Sequence, residues 1–163
     1  MNYFASLQEN LDLLKSLYVE LEGMLWEEHR NLMGAHVDKI EVVNSTKETL
    51  LKKIALAEKN REALMNKLGQ AFNKPNASLQ EIAELAGDLR SALLTNREEL
   101  RQLIFRVQDI NQQNRECAEN ALRVLGGALS NIKDTLAGKK TYQKKGLMKS
   151  GPEQSGNFVS KEA

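Results

Sequence analysis

Apolar residues recur along this chain in steps that alternate between three and four, and no proline interrupts them before Pro75. That spacing places the apolar side chains on one face of a helix and predicts a packed helical stripe. In the first segment the stripe consists of Phe4, Leu7, Leu11, Leu14, Tyr18, Leu21 and Leu25. The spacing therefore predicts an all-α fold of long amphipathic helices, with a core that is aliphatic because aromatic residues make up only 5% of the chain.

The stripe is less regular in the middle of the first half. Gly34 and His36 interrupt the apolar spacing. Ser45-Thr46-Lys47-Glu48 has the form of a capping box, which could begin a new helix. Two interpretations stay open for residues 3–68. They form either one bent helix or two helices with a break between residues 33 and 46.

A turn over residues 69–77 separates the two halves. Pro75 cannot continue a helix, and Ser78-x-x-Glu81 is a capping box that begins the next one. From there the stripe predicts a long helix over 78–137, packed on the first segment as an antiparallel hairpin or small bundle. We expect residues 1–137 to form a single helical domain. The second stripe consists of Leu79, Ile82, Ala86, Leu89, Leu93, Asn96, Leu100, Leu103, Val107, Ile110, Asn114, Ala118, Leu122, Leu125, Leu129, Ile132 and Leu136.

The end of the chain differs in composition from the helical part. Residues 138–163 contain six lysines against two glutamates, a local net charge of +4 in a chain whose net charge is +1. Their serines, glycines and Pro152 predict a flexible basic tail. Gly126-Gly127 lies inside the preceding helix, and each glycine costs about 1 kcal/mol relative to alanine there. The helix beyond these glycines is therefore expected to fray unless something packs on it.

The chain lacks the residue patterns of common catalytic and metal sites. His29 and His36 are seven residues apart and about 10 Å from each other on a helix, too far to share one metal ion unaided. Cys117 stands alone and is expected to be a partly buried thiol. We expect no enzymatic activity, no metal, no cofactor, no nucleic-acid partner and no membrane insertion, and a cytoplasmic location.

The second stripe has two interpretations along its length. Over residues 79–110 core packing is favoured, because the first segment offers a matching face. From Asn111 onward the residues of this helix are first polar or small and include two glycines, and the stripe becomes apolar again close to the tail. A weakly held amphipathic helix at a chain end suits folding against a partner helix. The residues alone leave core packing and partner binding equally open for this section.

Several patterns together resemble the FlgN family, the export chaperones of bacterial flagellar type III secretion. In the N-terminal half they are Leu21-Glu22-x-x-Leu25-x-x-Glu28-x-x-x-Leu32, Lys47-x-x-Leu50-Leu51 and Glu58-x-x-Arg61-x-x-Leu64-Met65. In the C-terminal half they are Leu100-x-x-Leu103-Ile104, Asn111-x-x-Asn114 and Thr141-Tyr142-x-x-x-Gly146. Their order and spacing cover roughly residues 7–146.

The resemblance implies a cytoplasmic chaperone that holds hook-associated proteins, those of the hook–filament junction, unassembled and delivers them to the flagellar export gate. In that family the C-terminal amphipathic region covers the C-terminal helical segment of the client. By position, Tyr142 would be the residue that docks to the export gate. The residues of this chain that would bind the client are Leu100, Leu103, Ile104, Val107, Ile110, Asn111, Asn114, Ala118, Leu122, Leu125, Leu129, Ile132 and Leu136. The alternative is a structural coiled-coil adaptor, a self-associating helical rod, and a homodimer is compatible with either.

Overall fold

The computed structural model describes residues 2–136, and these contain helices and turns but no strand. Helix α1 spans Tyr3–Met33, α2 spans Val37–Ala71, α3 spans Leu79–Ala83 and α4 spans Arg90–Leu136, with a 3₁₀ turn at Gly87–Leu89 before α4. The predicted all-α class of long helices is confirmed. The chain divides into two compact units, Met1–Ala118 and Glu119–Ala163. No helix among the described residues is long and apolar enough to cross a membrane.

The first half of the chain is two helices, and the break lies at residues 34–36. Ala35 has a φ of 53°, in the left-handed region that an L-residue other than glycine or asparagine seldom adopts, and this residue turns the chain out of α1. His36 precedes the first residue of α2 without a side-chain cap. The Ser45–Glu48 capping box is not used, because these residues lie inside α2, where the Thr46 hydroxyl donates to the Val42 carbonyl.

The turn between the halves covers residues 72–78, so it begins three residues later than the turn over 69–77 that the sequence predicts. At Gly69, in the last turn of α2, an added Cβ would lie 2.7 Å from the carbonyl oxygen of Lys74, so the close approach of these two segments requires glycine. Ser78 and Glu81 form the predicted capping box, in which each side chain accepts a hydrogen bond from the other residue's backbone N–H. The backbone and hydroxyl donors of Ser78 hold the pKa of Glu81 below its ordinary value.

The prediction of one continuous helix over 78–137 is wrong at its start. Helix α3 ends at Ala83, and α4 begins only at Arg90. Gly87 lies between them with a φ of 56°, a left-handed conformation that ends a helix and that glycine adopts without strain. The apolar spacing continues through this break because Ile82 and Ala83 are fully buried and Leu89 packs on the same core. Spacing alone therefore did not reveal it.

Within Met1–Ala118 the three long helices share one core. Asn10 bonds Ala57 and Glu28 bonds Lys47, so residue numbers rise along α1 as they fall along α2, and these helices are antiparallel. Helix α4 instead runs parallel to α1, since three contacts between them all join residues that are 84 apart in sequence: Asp12–Asn96, Glu22–Arg106 and Met33–Cys117. The core consists mainly of Leu7, Leu11, Leu14, Leu17, Leu21, Leu25, Leu50, Ile54, Leu68, Ile82, Leu93, Leu100, Val107 and Ile110.

Candidate functional site

The stripe of α4 is buried in its first part. Leu100, Leu103, Val107 and Ile110 are all at most 9% exposed, and Ile104 is half-buried against the core. Burying a leucine or isoleucine side chain stabilises a fold by about 1.5–3 kcal/mol, so these residues belong to the core of the first unit. A client could contact them only by displacing part of that core.

Two asparagines occupy the buried stripe of α4 at Asn96 and Asn114. The Asn96 amide donates to Asp12 at 3.0 Å, and its oxygen accepts from Lys15 at 2.6 Å. Lys15 also donates to the carboxylate of Glu99, and that bond raises the pKa of Lys15 above its ordinary value. A polar residue within an apolar helix seam favours the one register in which its hydrogen bonds are made.

The second asparagine lies in a cluster that joins all three helices. The Asn114 amide donates to the Leu25 carbonyl at 2.8 Å and to the Glu28 carboxylate at 3.2 Å. Its oxygen lies 2.8 Å from Nδ1 of His29 on α1. Lys47 of α2 donates to the same Glu28 carboxylate at 2.7 Å. Asn111, the other member of the polar pair, is exposed on α4.

Glu28 and Lys47 belong to the patterns that resemble the FlgN family, but the sequence did not predict that they form an ion pair. Only 11% and 18% of their side-chain surfaces are exposed, so the pair is largely removed from water. The interruption of the α1 stripe at Glu28 was the available signal, because a carboxylate at a core position must be paired to remain there. The pairing partner could not be read from the spacing, since Lys47 lies on another helix.

Beyond Asn114 the stripe becomes exposed. Ala118 is half-buried, and every residue from Glu119 to Leu136 is exposed. The five large apolar side chains of this section are between 55% and 83% exposed, and their steps of three and four place them on one face of α4. We call this surface the exposed stripe; it consists of Leu122, Leu125, Leu129, Ile132 and Leu136.

Two other residues of this section help to define the surface. Val124 is also exposed, at 69%, but it lies on a different face of the helix from the exposed stripe. Gly126 and Gly127 have nothing within 4 Å of where a Cβ would lie, so packing does not require glycine at either position. Both glycines therefore weaken the helix without a compensating contact in Glu119–Leu136.

The described residues offer no alternative site of reactive groups. Among residues 2–136 no group of three His, Cys, Asp or Glu side chains could hold a metal ion. His29 bonds Asn114, and the Cys117 thiol contacts the sulfur of Met33 at 3.8 Å. Tyr142, the residue expected to dock to the export gate, and the tail over 138–163 lie outside the described residues.

Comparison with known proteins gives one result. A family model described as FlgN protein matches residues 1–150 of the chain. No curated protein and no solved structure shows a significant match.

Proposed function

Since the chain belongs to the FlgN family of flagellar export chaperones, we propose that it binds hook-associated proteins through the exposed stripe of α4. The client segment that fits this surface is an amphipathic helix, such as the C-terminal helical segment by which junction subunits polymerise. The chaperone acts in the cytoplasm, keeps that segment from assembling and delivers its client to the flagellar export gate.

The observation that carries this proposal is the exposure of five large apolar side chains on one face of Glu119–Leu136. Contiguous exposed apolar surface of this kind is typical of an interaction site. Helix-to-helix packing would cover the stripe through residues spaced three and four apart on both partners. It needs neither a reactive group nor a nucleotide.

The size of the exposed stripe fits binding that can be reversed at the gate. Each Leu or Ile contributes about 1.5–3 kcal/mol when buried, and association costs at least about 4 kcal/mol before any net affinity appears. The two glycines add a cost, because a client must hold the helix around them in place. Five such side chains would contribute more than the minimum cost of association and the glycines reduce the surplus, which fits a contact that shields a client and still releases it.

Single aspartate substitutions test this surface. We expect Leu125→Asp and Ile132→Asp to lower retention of hook-associated proteins in a pull-down, since each puts a charge into the helix–helix contact. Val124→Asp is the matched control, because it adds the same charge to another face of the same helix. All three melting temperatures should stay close to that of the parent, since these side chains are already exposed. Equal retention by all three variants would reject the exposed stripe as the client site.

The same variants separate the chaperone from a self-associating rod. If the stripe of one copy pairs with that of another, sedimentation will show a dimer that Leu125→Asp dissociates. A dimer of that kind with unchanged client retention would favour the coiled-coil adaptor. For the chaperone we expect client loss to follow the substitution whatever the oligomeric state of the free protein.

Tyr142 is proposed as the residue that contacts the export gate, on the strength of the Thr141-Tyr142-x-x-x-Gly146 pattern. Tyr142→Ala should leave client retention intact and reduce secretion of the client. Tyr142→Phe separates a hydroxyl contact from a ring contact, since it keeps the ring alone. Normal secretion by the alanine variant would remove this role.

A further inference from the structure

A groove within the first unit lies between α2 and α4. It has a volume of about 230 Å³, and four of the residues that line it are apolar: Leu11 of α1, Leu79 of α3, and Leu100 and Ile104 of α4. Leu11 is fully buried and Leu100 is nearly so, whereas Leu79 and Ile104 are partly exposed. The groove is therefore a place where the apolar core of the unit reaches the surface.

The rest of the lining is basic. Arg61 lies on the α2 side of the groove, and Arg97 and Arg101 lie on the α4 side, about one helical turn apart. Among the described residues that line the groove, Glu58 is the one acidic side chain. Three arginines against one glutamate give the lining a net charge of +2.

The three arginines do not join the two helices across the groove. Arg61 bonds Glu58 and Arg101 bonds Glu98, so each pairs with a glutamate three residues earlier on its own helix. The side chain of Arg101 stays 72% exposed in its pair. Arg97 makes no ion pair or hydrogen bond with another described residue. The guanidinium groups are thus open to a ligand from outside the unit.

The groove between α1 and α4 differs in this respect. There Lys15 bonds Glu99, and Arg106 bonds Glu22, so ion pairs connect the two helices. Its charges are satisfied between elements of the same unit. Exposed ion pairs within one helix, such as that of Arg101, contribute little to the stability of a fold. Stability therefore does not explain the arginines of the α2–α4 groove.

An exposed aromatic side chain extends this surface. Phe105 is 71% exposed and lies one turn beyond Arg101 on α4. Arginine and aromatic side chains are enriched where proteins bind one another. We call Arg61, Arg97, Arg101, Ile104 and Phe105 the basic groove.

We propose that the basic groove binds an acidic segment of another protein, one in which carboxylates stand beside aliphatic or aromatic side chains. The carboxylates pair with Arg97 and Arg101, and the apolar side chains cover Ile104 and Phe105. A peptide fits this lining better than a compact anion such as phosphate does, because four apolar side chains lie among the arginines. The basic groove is separate from the exposed stripe, so the proposal does not depend on the proposed function.

The probe is a short fluorescein-labelled helical peptide with leucines on one face and glutamates beside them. Fluorescence anisotropy measures its affinity for the full chain at low salt. We expect Arg97→Gln with Arg101→Gln to lower the affinity about fivefold, since two exposed ion pairs with the peptide are lost. Phe105→Ala should also lower it, because apolar contact area is removed. The same peptide with lysine in place of glutamate should bind more weakly than the acidic one.

Lys52→Gln with Lys59→Gln is the matched control, since it removes the same charge at exposed positions on α2 outside the groove. Every variant keeps the lysines of residues 138–163, so their attraction for the peptide is the same throughout. Leu125→Ser should leave the affinity unchanged, because it alters the exposed stripe alone. An equal loss in the lysine control, or an unchanged affinity in the arginine variant, would overturn the proposal. So would displacement of the peptide by inorganic phosphate at constant ionic strength, since that would assign the arginines to a compact anion.

Discussion

Replacing both Gly126 and Gly127 by alanine should tighten client binding. Neither glycine is required by packing, since an added Cβ would have no neighbour within 4 Å at either position. Neither lies among the residues of the exposed stripe, so the methyl groups leave the surface proposed for client binding as it is. The substitution therefore changes the stability of the helix and leaves its binding face as it was.

The size of the effect follows from helix propensity. Alanine is favoured over glycine by about 1 kcal/mol per helical position, which gives about 2 kcal/mol for the pair. If residues 119–136 become fully helical only when the client binds, the free energy of ordering this helix is part of the binding free energy. The alanines then make the binding free energy more favourable by the same amount. Because 1.4 kcal/mol is a factor of ten in affinity, we expect up to about a 30-fold lower Kd and slower release.

Titration calorimetry with a peptide of the client's C-terminal segment measures this Kd, and secretion assays measure release. Gly23→Ala is the control, because that glycine also lies in a helix with open space around it but outside the exposed stripe. It should raise the free energy of unfolding by about 1 kcal/mol and leave the Kd unchanged. An unchanged Kd in the double variant would refute the coupling of client binding to ordering of this helix.

Three further predictions concern the stability of the first unit. Asn114→Ala removes three hydrogen bonds to α1, to the Leu25 carbonyl, the Glu28 carboxylate and the His29 ring, and should lower the free energy of unfolding in urea by about 2–3 kcal/mol. Asn111→Ala at an exposed position should change it little. The hydrogen bonds from Ser78 lower the pKa of Glu81 in the folded protein. The carboxylate therefore stabilises the fold at pH values above its ordinary pKa of 4.5, and this stabilisation is lost as the pH falls through the lower pKa of the folded state. Glu81→Gln should accordingly lose less thermal stability between pH 5 and pH 3 than the parent, and an identical pH profile would contradict the shift. Ala35→Gly replaces an alanine in a left-handed backbone conformation and should raise the melting temperature. We expect the free energy of unfolding to rise by about 0.5–1 kcal/mol, after the greater entropy of glycine in the unfolded chain is subtracted. A lower melting temperature would show that the turn is not strained.

Local physical rules account for what could be predicted from the sequence. The three-and-four spacing depends only on helix geometry, so it identified the face of α1 that packs in the core, from Leu7 to Leu25. The capping box at Ser78 was also predictable, because it involves residues three apart. The region between residues 33 and 46 was harder to interpret, since one bent helix and two helices share the same apolar spacing.

Contacts between helices could not be read in the same way. The stripe shows which side of α4 is apolar but not that α4 runs parallel to α1. That direction follows from α2, which lies between them in the chain and runs antiparallel to α1. For the same reason the bond from Lys47 to Glu28 was missed. The break at Gly87 went undetected because the apolar residues on both sides of it keep helical spacing although the backbone between them leaves the helix.

A single pattern along α4 thus meets two different environments, and the end of α1 is what separates them. The last described contact between these helices joins Met33, the final residue of α1, to Cys117. Burial along α4 ends at Ala118, which is half-buried, while apolar residues continue in steps of three and four from Leu122 to Leu136. The spacing changes at this boundary to consecutive steps of four, from Asn114 through Ala118 to Leu122. The turn at Ala35 explains why the boundary lies there, because it ends the partner helix. In the proposed function, the exposed stripe would therefore present to a client helix the same kind of face that α4 presents to α1 in the core. Recognition of an amphipathic helix in this way would need no reactive group among residues 2–136.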